Sequence, residues 1–351
     1  MYLKNLTLQM KNNIQDYIIN IIKNHGPLTI DRIIQISSNY YYSNFDSIGE
    51  KSDFITAPEI SQMFGEIVAI YLIDTWYRKF NKPLTLVELG PGNGTMMHDI
   101  LRTAKQFKNF YSNIKEVALI ETSPYLVNKQ KSRLKDFNNL NITWYTNIDD
   151  VKGDNYLIIA NEFFDALPIK QFYYKDNKIF EVVISLSDNK LIYGLIENSS
   201  NLITNSHFKN SQFIEISDYR KKYTDHISKK ISNDKGIALI IDYGYLKNPN
   251  KSTLQAVKNH KKVNLLDNIG YADITSLVNF TDIKNDFIKN NISSNILDQS
   301  EFLTKNGIIE RAESLIKSRA SREKINFQLN KLIANDEMGT LFKVLTTSPT
   351  F

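Results

Sequence analysis

The chain has 351 residues, 42% hydrophobic and 23% charged, with a formal net charge of +5 and no cysteine. This is ordinary for a globular protein with a large core in one or two domains, and it excludes a disulfide framework, a thiolate metal site and a cysteine nucleophile. Lysines fall in short scattered pairs, Lys221-Lys222, Lys229-Lys230 and Lys261-Lys262, rather than in a stripe that would hold nucleic acid.

No apolar run is long enough to span a bilayer, and the N-terminus has neither a secretory h-region nor an arginine-rich leader, so the expected location is the cytoplasm. From about Leu8 to Asn24, Ile14, Ile18, Ile21 and Ile22 recur at helical spacing, and His25-Gly26-Pro27 ends that helix. Thr29 to Ser37 predicts a short second helix. Tyr40-Tyr41-Tyr42 beyond it reads as packing or as an aromatic rim over a pocket. In Asp53-Phe54-Ile55-Thr56-Ala57-Pro58-Glu59-Ile60-Ser61, Pro58 suits a first helical turn, with Thr56 or Ala57 near the cap and Glu59 as a first-turn acid. The helix is expected to run on through Phe64, Ile67, Val68, Tyr71 and Leu72 to Trp76, apolar enough to be buried.

Leu84 to Val87 predicts a strand covered on both faces. Gly90-Pro91-Gly92-Asn93-Gly94 follows Glu88 and Leu89, and a helical pattern opens at Thr95 and runs to about Lys105. Glycines let a backbone turn tightly and let a ligand approach it, and a loop between a strand end and a helix start sits where open α/β sheets bind ligands. The spacing is G-x-G-x-G, not the dinucleotide G-x-G-x-x-G. It resembles motif I of the class I S-adenosylmethionine methyltransferases. That cofactor carries a sulfonium and an amino group and no phosphate, so the Glu88 carboxylate suits it and would repel a pyrophosphate. Val117 to Ile120 predicts the next strand, ending in Glu121, the acid expected to bind ribose hydroxyls. The plainer alternative is a glycine turn with two surface acids.

A helix is expected after Ser123-Pro124, a short strand over Asn141 to Tyr145 and another over Tyr156 to Ala160. Such alternation implies a parallel sheet with helices on both faces. Asn161-Glu162-Phe163-Phe164-Asp165-Ala166-Leu167-Pro168 then stands at a carboxyl end, beside the glycine loop. Glu162 and Asp165, three apart, would share one side of a helical turn. There they could clamp a guanidinium, accept a proton from a nitrogen nucleophile, or simply cap a helix. Phe163 and Phe164 could instead stack a flipped base. Lys170 to about Asn198 alternates like antiparallel strands, and Ile214 to Ile231 is helical. Gly236 to Tyr245 reads as a fifth parallel strand, with Asp242 and Tyr243 at its end. Residues 245 to about 290 look loop-rich and carry His260 and Asp273; Glu301 to Ile333 are helical; Gly339 to Thr346 predicts a last, antiparallel strand.

Together these segments resemble the MidA family, which includes the mitochondrial complex I assembly-factor arginine methyltransferases. The resemblance rests on DFITAPEISQMFGE from Asp53, LVELGPGNGT from Leu86, NEFFDALP from Asn161, IDYGY from Ile241, TLQAVKNHK from Thr253 and ADITSLVNF from Ala272. It implies an α/β, Rossmann-like class I methyltransferase fold with a mostly parallel sheet. An N-terminal helical or lid region over 1–75 would precede a core over 76–351, with substrate-side insertions at about 170–235 and 246–335.

The resemblance makes S-adenosyl-L-methionine the cofactor, held by Glu88, Gly90, Pro91, Gly92, Asn93, Gly94 and Glu121. Asn161, Glu162 and Asp165 become catalytic residues. Asp53, Thr56, Pro58 and Glu59 become lid or cofactor wall, and Asp53, Phe163, Phe164, Asp242, Tyr243 and His260 lie toward substrate. No metal and no stable nucleic-acid partner is expected. The reaction implied is arginine-directed protein methylation, giving symmetric dimethylarginine on a respiratory complex I subunit, in the mitochondrial matrix for a eukaryotic source; the alternatives are methylation of a nucleic-acid base or small molecule, and a non-catalytic assembly chaperone that binds the cofactor. The chain departs from the family pattern at Asn264, Ile269-Gly270 and Asn279, which bears on how the loop after Asp242 meets substrate.

Overall fold

The computed structural model describes residues 14–44, 56–198, 203–208, 211–318 and 320–348. Helices α1 (Ile14–His25) and α2 (Ile30–Asn44) flank the two-residue strand β1 (Leu28–Thr29). Next come α3 (Ala57–Ile60), α4 (Gln62–Lys79), β2 (Leu84–Leu89), α5 (Thr95–Ala104), α6 (Lys108–Asn113), β3 (Ile114–Ile120), α7 (Pro124–Arg133), β4 (Ile142–Tyr145) and β5 (Tyr156–Asn161). Strands β6 (Lys170–Lys175), β7 (Lys178–Ser187), β8 (Lys190–Glu197) and β9 (Phe213–Ile216) lead to α8 (Asp218–Asp234) and β10 (Gly236–Tyr245). The rest is β11 (Gln255–Lys258), β12 (Lys261–Val263), β13 (Asp273–Thr275), β14 (Val278–Asn279), α9 (Phe280–Lys289), β15 (Ser294–Asp298), α10 (Gln299–Lys305), α11 (Ile308–Lys317), α12 (Arg322–Ile333), α13 (Met338–Leu341) and β16 (Phe342–Thr347).

The central sheet runs β15-β16-β10-β5-β2-β3-β4, with β14 beside the end of β10. From β10 to β4 the strands are parallel; β16 is antiparallel, inserted between β10 and β15. Every residue of β2 and of β5 is buried, as runs covered by helices on both faces must be. Helix α4 is buried on nearly every side, and its buried Glu66 binds Arg102 of α5 at 2.9 Å and Arg311 of α11 at 2.7 Å. Beside this sheet, β1, β6, β7, β8 and β9 form a second, antiparallel sheet, and β11, β12 and β13 a third. Ile14, Ile18 and Ile22 of α1 pack with Ile184, Leu191 and Ile274 in the core between them.

Several expectations are corrected. The helix expected from Pro58 to Trp76 is two helices, because Ser61 is fully extended (φ −156°) and caps α4 through its Oγ. The helix expected from Glu301 to Ile333 is three, broken at Gly307 (φ 93°) and again around Ser321, the cap of α12. The stretch from 245 to 290 is not mainly loop: it carries β11 to β14 and α9. Phe213–Ile216 is a strand, and α8 begins only after Ser217 caps it. Helix α2 runs on to Asn44, so Tyr41 is buried and Tyr40 meets Tyr271 edge to face. Residues 8–13 and the Asp53–Ile55 part of the DFITAPEIS stretch lie outside the described residues.

Candidate active site

The register of the parallel strands brings four loops to one rim. Leu89 lies level with Ala160 and Ile120, and Asn161 level with Ile241. Gly90 N–H donates to Ile120 O, Glu121 N–H to Tyr145 O and Glu162 N–H to Ile241 O, so each loop leaves its strand tied to the neighbour. Gly90 (φ 64°), Gly92 (φ 53°) and Gly94 (φ 76°) all take left-handed backbone, which costs glycine little and other residues more. At Gly90 a side chain would also collide with Phe163, whose ring atom lies 2.7 Å from where a Cβ would stand.

A cleft of about 390 Å³ opens on the glycine loop, lined by Thr56, Pro58, Glu59, Glu88, Gly90, Pro91, Gly92, Asn93, Thr95, Met96, Asn161 and Glu162. Among the described residues the lining holds three acids and no basic side chain. Helix α3 forms one wall. Glu59 accepts from Asn93 Nδ2 (3.4 Å) and Thr95 Oγ1 (2.5 Å), and Ala57 N–H donates to Glu162 Oε1 (2.9 Å), so α3 is latched to both sides.

Three enclosed acceptors in this lining have no hydrogen-bond partner among the described residues: Glu88 Oε2, Asn161 Oδ1 and Glu162 Oε2. Burial pushes the Glu88 carboxyl up to about 8. Burial also pushes Glu162 up to about 8; the Ala57 N–H opposes the rise and the nearby Asp165 adds to it. Enclosed carboxyls without partners favour a cationic ligand and disfavour an anionic one.

The segment after Asn161 is a turn, not the helical turn expected from the spacing of its acids. Glu162 itself is left-handed (φ 49°), and Asp242 Oδ2 accepts the next three N–H groups, Phe163 (3.2 Å), Phe164 (2.9 Å) and Asp165 (3.2 Å). Asp242 is fully buried, and its carboxyl anchors this turn. Burial, with Glu162 nearby, raises its carboxyl to about 7, against the pull of Arg220.

Glu162 and Asp165 consequently part: Glu162 lines the glycine-loop cleft and Asp165 does not. Asp165 is buried on the other side of the turn, where burial, Asp242 and Asp273 push it well above the usual carboxylate range. Tyr42 donates to Asp273 Oδ1 (2.8 Å) in the same cluster. Buried Arg220 faces these acids, but its hydrogen bonds go to the carbonyls of Phe164, Ser276 and Leu277 and to Ser276 Oγ.

Other expected residues fall elsewhere. Phe164 is fully buried in the core, and Phe163 packs against Gly90 and Tyr223, so neither ring is free to stack a base. Tyr243 leans on Phe342 and lines a separate hollow with Thr253, Gln255 and Lys262. His260 (φ 59°) sits exposed at the β11–β12 hairpin tip, away from the cleft lining. Glu121 does not line the cleft either; its Oε1 accepts the N–H groups of Thr122 and Ser123, both at 2.8 Å, and its Oε2 accepts from Gln130. Gln130 and Arg220 gave no signal in sequence, and Tyr42 and Asp273 stood out there without a definite role, because each is explained only by partners in other elements.

Glycine loop, parallel sheet and acid-lined cleft define an S-adenosylmethionine-dependent methyltransferase. The comparisons agree. A family model of S-adenosyl-L-methionine-dependent methyltransferases matches residues 67–295, and the chain belongs to that family. The protein arginine methyltransferase NDUFAF7 homolog, mitochondrial, of Caenorhabditis elegans is 30% identical over 96% of this chain and 87% of its own. The Danio rerio protein arginine methyltransferase NDUFAF7, mitochondrial, is 31% identical over 88% of this chain and 80% of its own. A solved structure from Burkholderia thailandensis, bound to S-adenosyl-homocysteine, superposes with a TM-score of 0.83 at 19% identity, covering 95% of this chain and 91% of that one. The fold is therefore the class I methyltransferase fold, and the enzyme uses S-adenosyl-L-methionine.

The cleft fits that cofactor, since its orphaned acceptors and lack of basic groups suit a ligand carrying a sulfonium and an ammonium. A carboxyl raised in the folded protein favours folding most below its unfolded value of 4.5 and loses that contribution as pH rises through about 8. A cationic ligand that ionises Glu88 should therefore release a proton on binding near neutral pH, and affinity should climb with pH up to about 8. Calorimetry in two buffers of different ionisation enthalpy should give different binding heats, and Glu88→Gln should narrow the gap. Identical heats in the wild type would refute the assignment.

Proposed function

We propose that the methyl acceptor is an arginine side chain of a protein. The observation that carries this reading is the surplus of buried acid behind the cleft. Glu162, Asp165, Asp242 and Asp273 neighbour one another electrostatically, with Arg220 as the cation drawn among them. A guanidinium stays charged in water and is a poor nucleophile, so an enzyme must hold it by its charge and localise that charge away from the attacking nitrogen. When bound, the cofactor supplies a methyl group made electrophilic by its sulfonium. Glu88 and Asn161 offer it acceptors, the glycine loop lets it approach the loop backbone, and Glu121, at the end of the next strand and outside the cleft lining, is the acid left to reach the ribose hydroxyls.

Glu162 Oε2 orients the acceptor nitrogen and takes the proton that nitrogen sheds; its value of about 8 suits a proton acceptor that works near neutral pH. Thr56, Pro58 and Glu59 wall the cleft. The relatives named as arginine methyltransferases support the acceptor class, and the family resemblance extends it to symmetric dimethylarginine on a complex I subunit. Their names also place those relatives in mitochondria, so the matrix is the expected site for a eukaryotic source and the cytoplasm for a bacterial one. Among the described residues no helix is long and apolar enough to cross a membrane. Methylation of a stacked base is disfavoured, because Phe163 and Phe164 are committed to packing.

Purified protein incubated with methyl-labelled cofactor and a lysate should label a protein, and peptide mass spectrometry should find the mark on arginine. Label on RNA or a metabolite would overturn the acceptor class. The ribose assignment has its own test. Glu121→Ala should weaken cofactor binding by about 1.5–3 kcal/mol, the scale of hydrogen bonds to a charged group. A 2′-deoxyribose analogue should lose much less further affinity in that variant than in wild type; equal losses would show that Glu121 does not meet the hydroxyl.

A further inference from the structure

Gln130 is a polar side chain with no exposure at all, in the middle of α7. Its carboxamide joins three separate pieces of the cofactor side. Nε2 donates to Gly92 O at 2.8 Å and to Glu121 Oε2 at 3.3 Å, and Oε1 accepts from Trp144 Nε1 at 2.8 Å. The orientation of the amide is fixed by chemistry, because an indole N–H can only donate. Trp144 thus claims the oxygen, and the NH₂ must turn to the two acceptors. Its side chain also fills the space beside Gly94, where a Cβ would stand 3.3 Å from Gln130 Cγ.

We infer that Gln130 is the positioning residue of the cofactor site: it sets the Gly92 carbonyl and the Glu121 carboxylate in one fixed relation, and Trp144 holds it in the only orientation that does so. The inference rests on the reading of the glycine loop and Glu121 as cofactor groups. Without the amide, the Gly92 carbonyl loses a buried donor at the middle of the loop, and Glu121 Oε2 is free to swing. The sheet does not depend on it, since β2, β3 and β4 are joined by their own backbone ladder. Of the charged side chains around it, Glu121, just beyond β3, meets the carboxamide directly, while from its own helix Lys129 reaches Asn93 Oδ1 at 3.5 Å and Lys131 lies over the Trp144 ring.

The test compares Gln130→Met, Gln130→Glu and Trp144→Phe in the whole protein, with S-adenosyl-L-methionine as titrant and with steady-state methyl transfer. Gln130→Met should raise the KM for cofactor about ten-fold or more, the scale of a lost hydrogen bond to a charged group, while kcat stays within about three-fold, as for lost ground-state binding. Gln130→Glu keeps the shape and the Trp144 bond but sets a carboxylate against Glu121 and a carbonyl. Its KM should be high at pH 8 and should recover toward wild type as acid protonates it into a donor, whereas Gln130→Met should show no such recovery.

Trp144→Phe releases the amide and should give a smaller KM rise that does not add to that of Gln130→Met. Melting temperatures identify any variant that fails to fold, and the remaining ones then decide the matter. Lost affinity in Glu121→Ala with wild-type KM in Gln130→Met overturns the positioning role alone. Wild-type affinity in both overturns the cofactor reading, and this inference with it. A fall in kcat with KM unchanged also overturns it.

Discussion

Glu162→Gln is expected to cut methyl transfer by about a hundred-fold or more, the scale for losing a positioned proton-transfer or electrostatic group, while cofactor affinity stays within a few-fold. The substitution keeps the side chain's size and leaves an oxygen for the Ala57 N–H, so α3 should stay latched. It removes the enclosed Oε2 that has no partner and the proton acceptor with it. Single-turnover rates beside calorimetric affinities would separate the two effects. A collapse of cofactor affinity would instead make Glu162 a cofactor ligand and leave the guanidinium to Asp165 and Asp273. Asp165→Asn is a weaker probe, because Asp165 lies outside the glycine-loop cleft and its carboxyl is already held toward the neutral form by burial and by Asp242.

Gly92→Val should abolish detectable cofactor binding and leave the fold intact. Gly92 has a φ of 53°, where a β-branched residue is strained by about 1–3 kcal/mol, and its carbonyl is pinned by Gln130. The loop must then either move or present a branched side chain to the ligand. It lies outside the strands, so circular dichroism and the melting transition should change little. Unchanged affinity in Gly92→Val would sink the assignment of the loop.

Much of this was legible because it is written locally. Leu84–Leu89 and Tyr156–Asn161 are mostly apolar runs of strand length, and three alternate glycines mark a turn that other residues would resist. The breaks were harder to see. Gly307 stands in the sequence as a possible stop, but an apolar pattern continues on either side of it. The Glu162–Asp165 spacing is shared by helix starts and by turns, and the choice is made by Asp242, a residue whose three accepted N–H groups lie 77 to 79 positions away. Gln130, with partners in the glycine loop, in β3's end and in β4, has no local signature at all. Local rules describe elements; a buried polar side chain is explained only by what surrounds it.

The position of β16 has a consequence for how the chain is made. Strands β2 to β5 are consecutive between Leu84 and Asn161 and can assemble as soon as they leave the ribosome, but the neighbour of β5 starts only at Gly236. During that interval β5 presents an open edge of unpaired backbone groups on a mostly apolar strand, the kind of surface on which nascent chains pair wrongly. The sheet stays unfinished until Phe342–Thr347 slides between β10 and β15. A chain stopped before Phe342 would leave those two strands facing each other across a gap of one strand, with the cofactor half already formed and the far half unable to close.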